Sequence, residues 1–174
     1  KVGDPLDEET DLGPLVSAAH RDGVEAAIAR AVKEGGTVAC GGGRPKSLPD
    51  RVRNGHFLEP TVLMGLDQDT WTNQHEIFGP VVTVQGFDTH GEAVTRANAT
   101  DYGLACSIWT RDLDRAHRMA ARIDAGMTWV NSWMLRDLRT PFGGMKHSGV
   151  GREGGTDALR FFTEARSITI AHPG

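Results

Sequence analysis

The chain has 174 residues, of which 39% are hydrophobic and 24% are charged, as in an ordinary globular domain with a buried core. Its formal net charge of −4 gives no electrostatic reason to expect nucleic acid or an anionic membrane as a partner. No apolar run approaches a membrane span, and Cys40 and Cys106 are too few for a disulfide framework. The composition therefore predicts a cytoplasmic protein with two free thiols, without nucleic acid or membrane as partner.

The first part of the chain predicts one amphipathic helix and two short strands. Ser17 can cap the helix with its side-chain oxygen, and Gly35-Gly36 ends it. The apolar face recurs at helical spacing and comprises Val24, Ala27, Ile28, Ala31 and Val32. The strand candidates are Thr37–Cys40 and Thr61–Met64. The polar, turn-rich residues 41–57 between them predict a surface excursion.

A third strand and a second helix follow. The β-branched run Val81–Val84 predicts a buried strand. Thr89 and Glu92 have the spacing of a capping box, which predicts a helix from there through about Asn98.

The remainder of the chain predicts a βαβ unit. A strand at 104–110, a helix capped by Asp112 and a strand at 127–130 are joined by short connections. Such a unit implies parallel strands with a helix packed against them. A short helix at 157–162 and a final strand at 167–170 complete the prediction.

The stretch 131–155 combines six glycines with several charged side chains and the aromatic residues Trp133 and Phe142. Such a loop is costly to order, and its aromatic residues are not typical of a flexible linker, so it predicts a functional surface. Gly149–Gly154 matches the dinucleotide fingerprint G-x-G-x-x-G. We interpret the match as chance, because Met145–Ser148 carries no strand signal and no acid follows at the required distance.

Metal and thiol chemistry have no sequence signal. The seven histidines are scattered, and no cysteine lies near a histidine at ligand spacing, so no metal site is predicted. Cys40 precedes a triple glycine and Cys106 lies inside a strand candidate. Neither has the helix start or basic neighbour that lowers a thiol pKa, so we interpret both as inert.

Glu76 and Phe78 form the first candidate site. They place a carboxylate and an aromatic ring on one turn, immediately before Gly79-Pro80. That pair suits a ligand with hydroxyl groups and a flat ring. The alternative is an exposed glutamate and a core phenylalanine.

Arg136 and Arg139 form the second candidate site, beside Trp133 and Phe142. Two guanidinium groups in an aromatic pocket can bind a carboxylate through paired hydrogen bonds. The alternative is ion pairing of these arginines with Asp137 and its neighbours.

Four motifs resemble the NAD(P)-dependent aldehyde dehydrogenases, in the same order and over the whole chain. They are Glu76–Val81, Asn98 with Tyr102–Ala105, Trp129–Asn131, and Pro141–Glu153. The resemblance covers the C-terminal part of that family. It implies an α/β fold, with a mostly parallel sheet flanked by helices and a terminal oligomerisation strand.

The resemblance also implies how the chain is divided and what it lacks. Residues 1–163 would form a partial catalytic domain, and 164–174 the oligomerisation strand and tail of a homo-oligomer. The chain opens at Lys1 without an initiator Met and is expected to be a fragment. The nucleophilic cysteine, the general-base glutamate and the Rossmann domain are expected outside it, so none of its own residues is assigned a catalytic role.

The implied activity of the intact enzyme is oxidation of an aldehyde to an acid with NAD or NADP. A cysteine thiolate attacks the aldehyde, the adduct gives hydride to the coenzyme, and the thioester is hydrolysed. The present chain alone is expected to be inactive. The alternative is a stand-alone truncated protein that serves as an inactive binding or assembly module.

The resemblance assigns roles to individual positions. Glu76 would hydrogen-bond the nicotinamide ribose, and Phe78 would pack at the nicotinamide. The loop 131–139 resembles that of 2-hydroxymuconate and 2-aminomuconate semialdehyde dehydrogenases, whose substrates carry a distal carboxylate. Arg136 is favoured over Arg139 as the carboxylate ligand. The substrate-binding residues implied are Arg136, Arg139, Trp133, Leu135 and Phe142.

Overall fold

The computed structural model describes residues 1–172 and 174, which fold into two compact units, Lys1–Phe87 and Asp88–Gly174. The helices are α1 (Ala18–Lys33), α2 (Trp71–Gln74), α3 (His90–Asn98), α4 (Leu113–Ala120) and α5 (Gly155–Phe162), with a 3₁₀ turn at Asp50–Val52. The strands are β1 (Thr37–Cys40), β2 (Thr61–Met64), β3 (Val81–Val84), β4 (Tyr102–Gly103), β5 (Ala105–Ile108), β6 (Met127–Val130) and β7 (Met145–Lys146). The division predicted after residue 163 remains a prediction.

The first unit packs α1 against a three-stranded sheet of order β1-β2-β3. Strand β2 pairs antiparallel with β1 and parallel with β3. Ser17 caps α1 by accepting a hydrogen bond from the His20 amide at 3.1 Å, and Gly35 takes the left-handed conformation after it, both as predicted. The core comprises Val24, Ile28, Ala31, Leu58, Leu63 and Leu66.

Two predicted burial patterns in this unit are wrong. Val32 is half exposed, because it lies at the edge of the buried stripe of α1. Strand β3 is not fully buried: Val82 and Val84 are exposed, since alternate side chains point to opposite faces of the sheet.

The second unit contains the predicted βαβ arrangement. Strands β5 and β6 are parallel, with Ala105 opposite Met127, and α4 connects them. The predicted caps are confirmed: Thr89 accepts from the Glu92 amide at 3.1 Å and Asp112 from the Arg115 amide at 2.9 Å. The parallel pairings in both units, with their helices, confirm the predicted α/β class.

The last part of the second unit differs from the prediction. Met145–Lys146 carries no strand signal in the sequence, yet it pairs antiparallel with Tyr102–Gly103. Residues 167–170, predicted as a strand, pair with no strand among the described residues, and Ile168 and Ile170 are exposed. A strand is stabilised by hydrogen bonds to a neighbouring strand. In both cases the local sequence does not indicate whether such a neighbour is present. Within the described chain, no helix combines the length and apolarity that a membrane span requires.

Candidate functional site

The turn between α2 and β3 borders a cavity of about 390 Å³ in the first unit. Glu76 and Phe78 both line it, together with the backbone of Gly79 and the start of β3. Glu76 is exposed, and its carboxylate makes no hydrogen bond or ion pair within residues 1–172 and 174. The carboxylate is therefore available to an external donor.

Phe78 is held in an uncommon backbone conformation. Its φ is +55°, in the left-handed region that glycine prefers, and its side chain is 74% exposed. The predicted alternative of a core phenylalanine is therefore wrong. Backbone strain of this kind persists only where surrounding contacts fix it, and it is concentrated at functional sites.

His20 and Gly79 supply those contacts. The Nε2 atom of His20 donates a hydrogen bond to the Phe78 carbonyl at 2.7 Å, and the two rings lie with centroids 6.0 Å apart. Gly79 packs so closely on α1 that an added Cβ would lie 2.7 Å from a Val24 methyl group. His20 is not among the predicted site residues, because it lies 58 positions before Phe78 and carries no local signal of this contact.

The loop between β6 and β7 holds the second candidate group, in the second unit. The Arg136 guanidinium carbon lies 3.9 Å from the centroid of the Phe142 ring, and both residues line a cavity of about 220 Å³. Among the described residues, Arg136 forms an ion pair only with Glu153, with Nη2 and Oε1 3.3 Å apart. This single, long contact leaves most of the guanidinium donors unused.

Arg139 has a different environment. Its Nη2 lies 2.6 Å from Asp137 Oδ2, its backbone amide donates to Asp137 Oδ1, and its side chain is 89% exposed. These two hydrogen bonds hold the pKa of Asp137 below its usual value, and the ion pair raises the pKa of Arg139. The ion-pairing alternative therefore describes Arg139, and Arg139 does not line the cavity beside Arg136.

Of the remaining predicted substrate-binding residues, Leu135 lines the cavity beside Arg136 and Trp133 does not. Leu135 lines the cavity, and its carbonyl accepts a hydrogen bond from Trp129 Nε1 at 2.8 Å. Trp133 lies outside the cavity, more than half exposed, with its ring edge against Trp129 at a centroid distance of 5.2 Å. Trp129, and not Trp133, lines this cavity in the described chain, and the substrate contact of Trp133 stays a prediction.

The glycine-rich segment fixes the base of this loop. Phe142 and Glu153 exchange two backbone hydrogen bonds, of 2.7 and 2.8 Å. An added Cβ at Gly126 would lie 1.7 Å from the Gly143 carbonyl oxygen, so only glycine fits at position 126. Glu153, which the sequence analysis did not assign to the site, is thus held where its carboxylate can reach Arg136.

Comparison with known proteins assigns the family. The model of the aldehyde dehydrogenase family matches residues 1–168. The chain belongs to the aldehyde dehydrogenase family. The predicted resemblance is thereby confirmed, and with it the aldehyde dehydrogenase fold.

Individual aldehyde dehydrogenases agree closely with this chain. It is 46% identical to 2-aminomuconic semialdehyde dehydrogenase of Danio rerio, over 99% of this chain and 36% of that protein. It is 47% identical to 2-hydroxymuconic semialdehyde dehydrogenase of Pseudomonas putida, over 98% of this chain and 35% of that protein. The solved structure of HpcC from Thermus thermophilus matches with a TM-score of 0.89 at 42% identity, over 100% of this chain and 35% of that one. Betaine aldehyde dehydrogenase from Staphylococcus aureus, solved in complex with NAD+, matches with a TM-score of 0.88 at 40% identity, over 93% and 32%. The chain thus spans about a third of the length of these relatives.

The two cysteines of this aldehyde dehydrogenase chain lie in different environments. Cys40 is exposed, and Cys106 is half-buried in β5, where burial raises the pKa of its thiol. A raised pKa keeps the thiol protonated, whereas a nucleophile must be a thiolate. The structure therefore supports the interpretation of Cys106 as an inert side chain.

Proposed function

We propose that this chain is the C-terminal part of a cytoplasmic, NAD-dependent aldehyde dehydrogenase that oxidises a muconic semialdehyde to the corresponding acid. The observation that carries the proposal is the Arg136 guanidinium, stacked on Phe142 at the wall of a cavity and only weakly paired. Its support from sequence is the identity of 44–47% to relatives named 2-amino- or 2-hydroxymuconic semialdehyde dehydrogenase.

The substrate role of Arg136 follows from its geometry. A guanidinium group is a planar fork of donors that matches a carboxylate, and stacking on Phe142 fixes the plane of that fork. Glu153 occupies one donor at 3.3 Å, a distance at the long end for a hydrogen bond. An incoming substrate carboxylate can therefore replace Glu153 with two shorter bonds, which would orient the aldehyde at the opposite end of the substrate.

The coenzyme role belongs to the cavity beside α2 and β3. An unpaired carboxylate at Glu76 fits the hydroxyl groups of a ribose, and the exposed ring of Phe78 fits a flat heteroaromatic ring. Bound NAD would supply the hydride acceptor. Glu76 would hold the ribose, and Phe78, fixed by His20, would limit the positions that the nicotinamide can take.

The proposal places the nucleophile outside this chain. Cys106 has a raised thiol pKa, and Cys40 lines neither the cavity at Glu76 nor the cavity at Arg136, so neither is proposed as the nucleophile. Free cysteines, one of them exposed, are typical of proteins of the reducing cytoplasm, which supports the proposed location.

The activity assay follows NADH formation by the intact enzyme with 2-hydroxymuconate semialdehyde and with a neutral aliphatic aldehyde of equal length. We expect the acidic substrate to have the higher kcat/KM. We expect no NADH from the isolated 174-residue chain with either aldehyde. A preference for the neutral aldehyde would contradict the carboxylate site, and turnover by the isolated chain would contradict the external nucleophile.

We also propose that residues 167–170 pair with a second subunit in a homo-oligomer. The segment lies unpaired within the described residues and exposes Ile168 and Ile170, and unpaired strand-like segments recruit other chains. Light scattering should show a smaller particle for the double variant Ile168→Lys/Ile170→Lys than for wild type. Val150→Lys, at an equally exposed apolar residue, is the control, and an unchanged mass of the double variant would contradict the proposal.

A further inference from the structure

The position of Glu76 is set by the residues on either side of it. Its own side chain makes no hydrogen bond or ion pair with any residue that the structure describes. On one side Phe78 is held by His20 of α1. On the other side α2 ends with His75 as its C-cap, directly before Glu76. Whatever holds α2 in place therefore also decides where the Glu76 carboxylate lies.

Helix α2 cannot hold itself in place. It has four residues, and forming a first helical turn costs more conformational entropy than its hydrogen bonds return. The first amides of a helix have no partner within the helix and need another acceptor. The N-cap residue Thr70 does not provide one, because its hydroxyl donates to the Asp67 carbonyl at 2.8 Å and accepts no hydrogen bond from the helix.

The missing acceptor is the carboxylate of Glu34, the C-cap residue of α1. Its Oε2 atom accepts from the Thr72 amide at 3.2 Å and from the Thr72 hydroxyl at 2.7 Å, although the two residues are 38 positions apart. Thr72 is only 4% exposed, so water has little access to these donors. Buried donors without an acceptor are costly, and Glu34 therefore ties α2 to the end of α1.

Arg30, one turn before Glu34, reinforces this link. Its Nε donates to Glu34 Oε1 at 3.0 Å, and its guanidinium carbon lies 4.3 Å from the centroid of the Trp71 ring. Trp71 in turn stacks on His75 with centroids 4.7 Å apart. Burial alone would raise the pKa of Glu34, but hydrogen bonds from Thr72 and Arg30 outweigh burial and hold that pKa below its usual value. Glu34 is thus an ionised acceptor at neutral pH, which makes its hydrogen bonds stronger.

We propose that Glu34 is a positioning residue of the coenzyme site, which fixes the Glu76 carboxylate against the coenzyme ribose by capping α2 from α1. Glu34 does not line the cavity beside Glu76, so its effect on the reaction passes through α2. A small displacement of a group that orients the reacting ring lowers the rate of hydride transfer. This inference rests on the proposed coenzyme role of Glu76.

The test measures kcat of the intact enzyme at saturating NAD and aldehyde for Glu34→Ala, Glu76→Gln and the double variant. Glu34→Ala should lower kcat by about 2- to 30-fold, the usual range for residues that act through another element. In the Glu76→Gln background the same substitution should cause less than about a twofold further loss, because its effect passes through Glu76. A residue that only stabilises the fold would give independent, additive losses.

Glu25→Ala is the matched control. Glu25 is also a glutamate of α1 with an arginine partner, its Oε1 lying 2.7 Å from Arg44 Nε, but this ion pair reaches the segment after β1 instead of α2. Its kcat should stay within about twofold of wild type. Glu34→Gln keeps an oxygen that can accept from Thr72, so its kcat should lie between those of Glu34→Ala and wild type.

Glu34→Ala should also melt at a lower temperature, since two buried donors lose their acceptor, and the assays are therefore run well below that temperature. Thr72→Val removes the hydroxyl donor at nearly constant shape. It is the second variant, and it should lower kcat in the same non-additive way.

Two results would overturn the inference alone. The first is a kcat within about twofold of wild type in both Glu34→Ala and Thr72→Val, while Glu76→Gln lowers kcat. The second is full additivity of Glu34→Ala and Glu76→Gln. An unchanged kcat in Glu76→Gln would instead overturn the proposed coenzyme role of Glu76, and the inference with it.

Discussion

The turn at Glu76–Phe78 and the loop at Arg136–Phe142 are held in place by different forces. The turn belongs to a unit with a core of fully buried aliphatic side chains, and its strained residue is fixed by His20 and by close packing at Gly79. The loop belongs to a unit in which only Val94, Ala116 and Met127 are buried hydrophobic residues among those described. Ion pairs and side-chain-to-backbone hydrogen bonds hold the loop.

The proposed coenzyme turn and the proposed substrate loop should therefore respond differently to mutation and to changes of salt or pH. The unit that carries the proposed coenzyme turn has a close-packed, buried aliphatic core, and such packing depends little on salt. Exposed polar contacts give the proposed substrate loop an arrangement that other charged groups can replace, since surface ion pairs contribute little net energy. A core mutation should therefore damage the first region most, and a change of charge or pH should damage the second.

The largest expected effect on stability is at the core below the turn. Leu63 is completely buried in β2, so Leu63→Ala should lower the free energy of unfolding by about 2–5 kcal/mol. Val82→Ala on the neighbouring strand removes an exposed side chain and should cost less than about 1 kcal/mol. Denaturant unfolding of the intact enzyme measures both, and equal losses would show that the sheet has no buried face.

The next effect is on turnover at the carboxylate of the turn. Glu76→Gln should lower turnover roughly tenfold or more, because a charged acceptor bond is worth about 1.5–3 kcal/mol and it orients the reacting ring. The melting temperature should stay constant, since Glu76 is exposed. Glu8→Gln, at another exposed glutamate of this unit, is the control. Unchanged kinetics would make Glu76 a surface residue without a role.

A smaller effect is expected at Phe78, where a substitution should change turnover more than the free energy of unfolding. Phe78→Gly removes left-handed strain of about 1 kcal/mol or more, and it adds about 0.5–1 kcal/mol of backbone entropy to the unfolded state. The free energy of unfolding should therefore change by less than about 1 kcal/mol while turnover falls. A strongly destabilised variant with normal turnover would show that Phe78 serves folding instead.

The smallest effect should be a pH dependence of the loop. The folded pKa of Asp137 is lowered by hydrogen bonds from the Arg139 side chain and backbone. The stabilisation that the Asp137–Arg139 pair contributes is therefore complete above the pKa of an unfolded aspartate, about 3.9. It is lost as the pH falls through the lower pKa of Asp137 in the folded state. Proteolysis of the loop should accelerate in that acidic range, and Asp137→Asn should be cleaved rapidly at every pH. Asp101→Asn, at an exposed residue away from the loop, should behave as wild type.

The sequence predicts the features of this chain that depend on neighbouring residues. The helix caps at Ser17, Thr89 and Asp112 follow from side-chain oxygens placed next to free backbone amides. The parallel β5–α4–β6 unit follows from short connections between alternating elements. In each case the physical cause lies within a few residues of its effect.

The features that the sequence does not predict depend on distant partners. The His20 contact with Phe78 and the Glu153 contact with Arg136 join residues 58 and 17 positions apart, and neither residue has a local signature. Strand β7 forms because Tyr102–Gly103 lies beside it, although its own residues carry no strand signal. Conversely, residues 167–170 have strand propensity but no partner within the described chain.

The most direct test of the proposed carboxylate site compares Arg136→Ala with Arg139→Ala in the intact enzyme, on 2-hydroxymuconate semialdehyde and on a neutral aliphatic aldehyde. Loss of a guanidinium that pairs with a substrate carboxylate costs about 2–5 kcal/mol. Since each 1.36 kcal/mol is tenfold, kcat/KM for the acidic substrate should fall by about 30-fold to several-thousand-fold in Arg136→Ala. The neutral aldehyde should stay near wild type, and Arg139→Ala should have the smaller effect because Arg139 is exposed and paired with Asp137. Equal losses on both aldehydes, or a dominant effect at Arg139, would contradict the assignment of Arg136 as the carboxylate ligand.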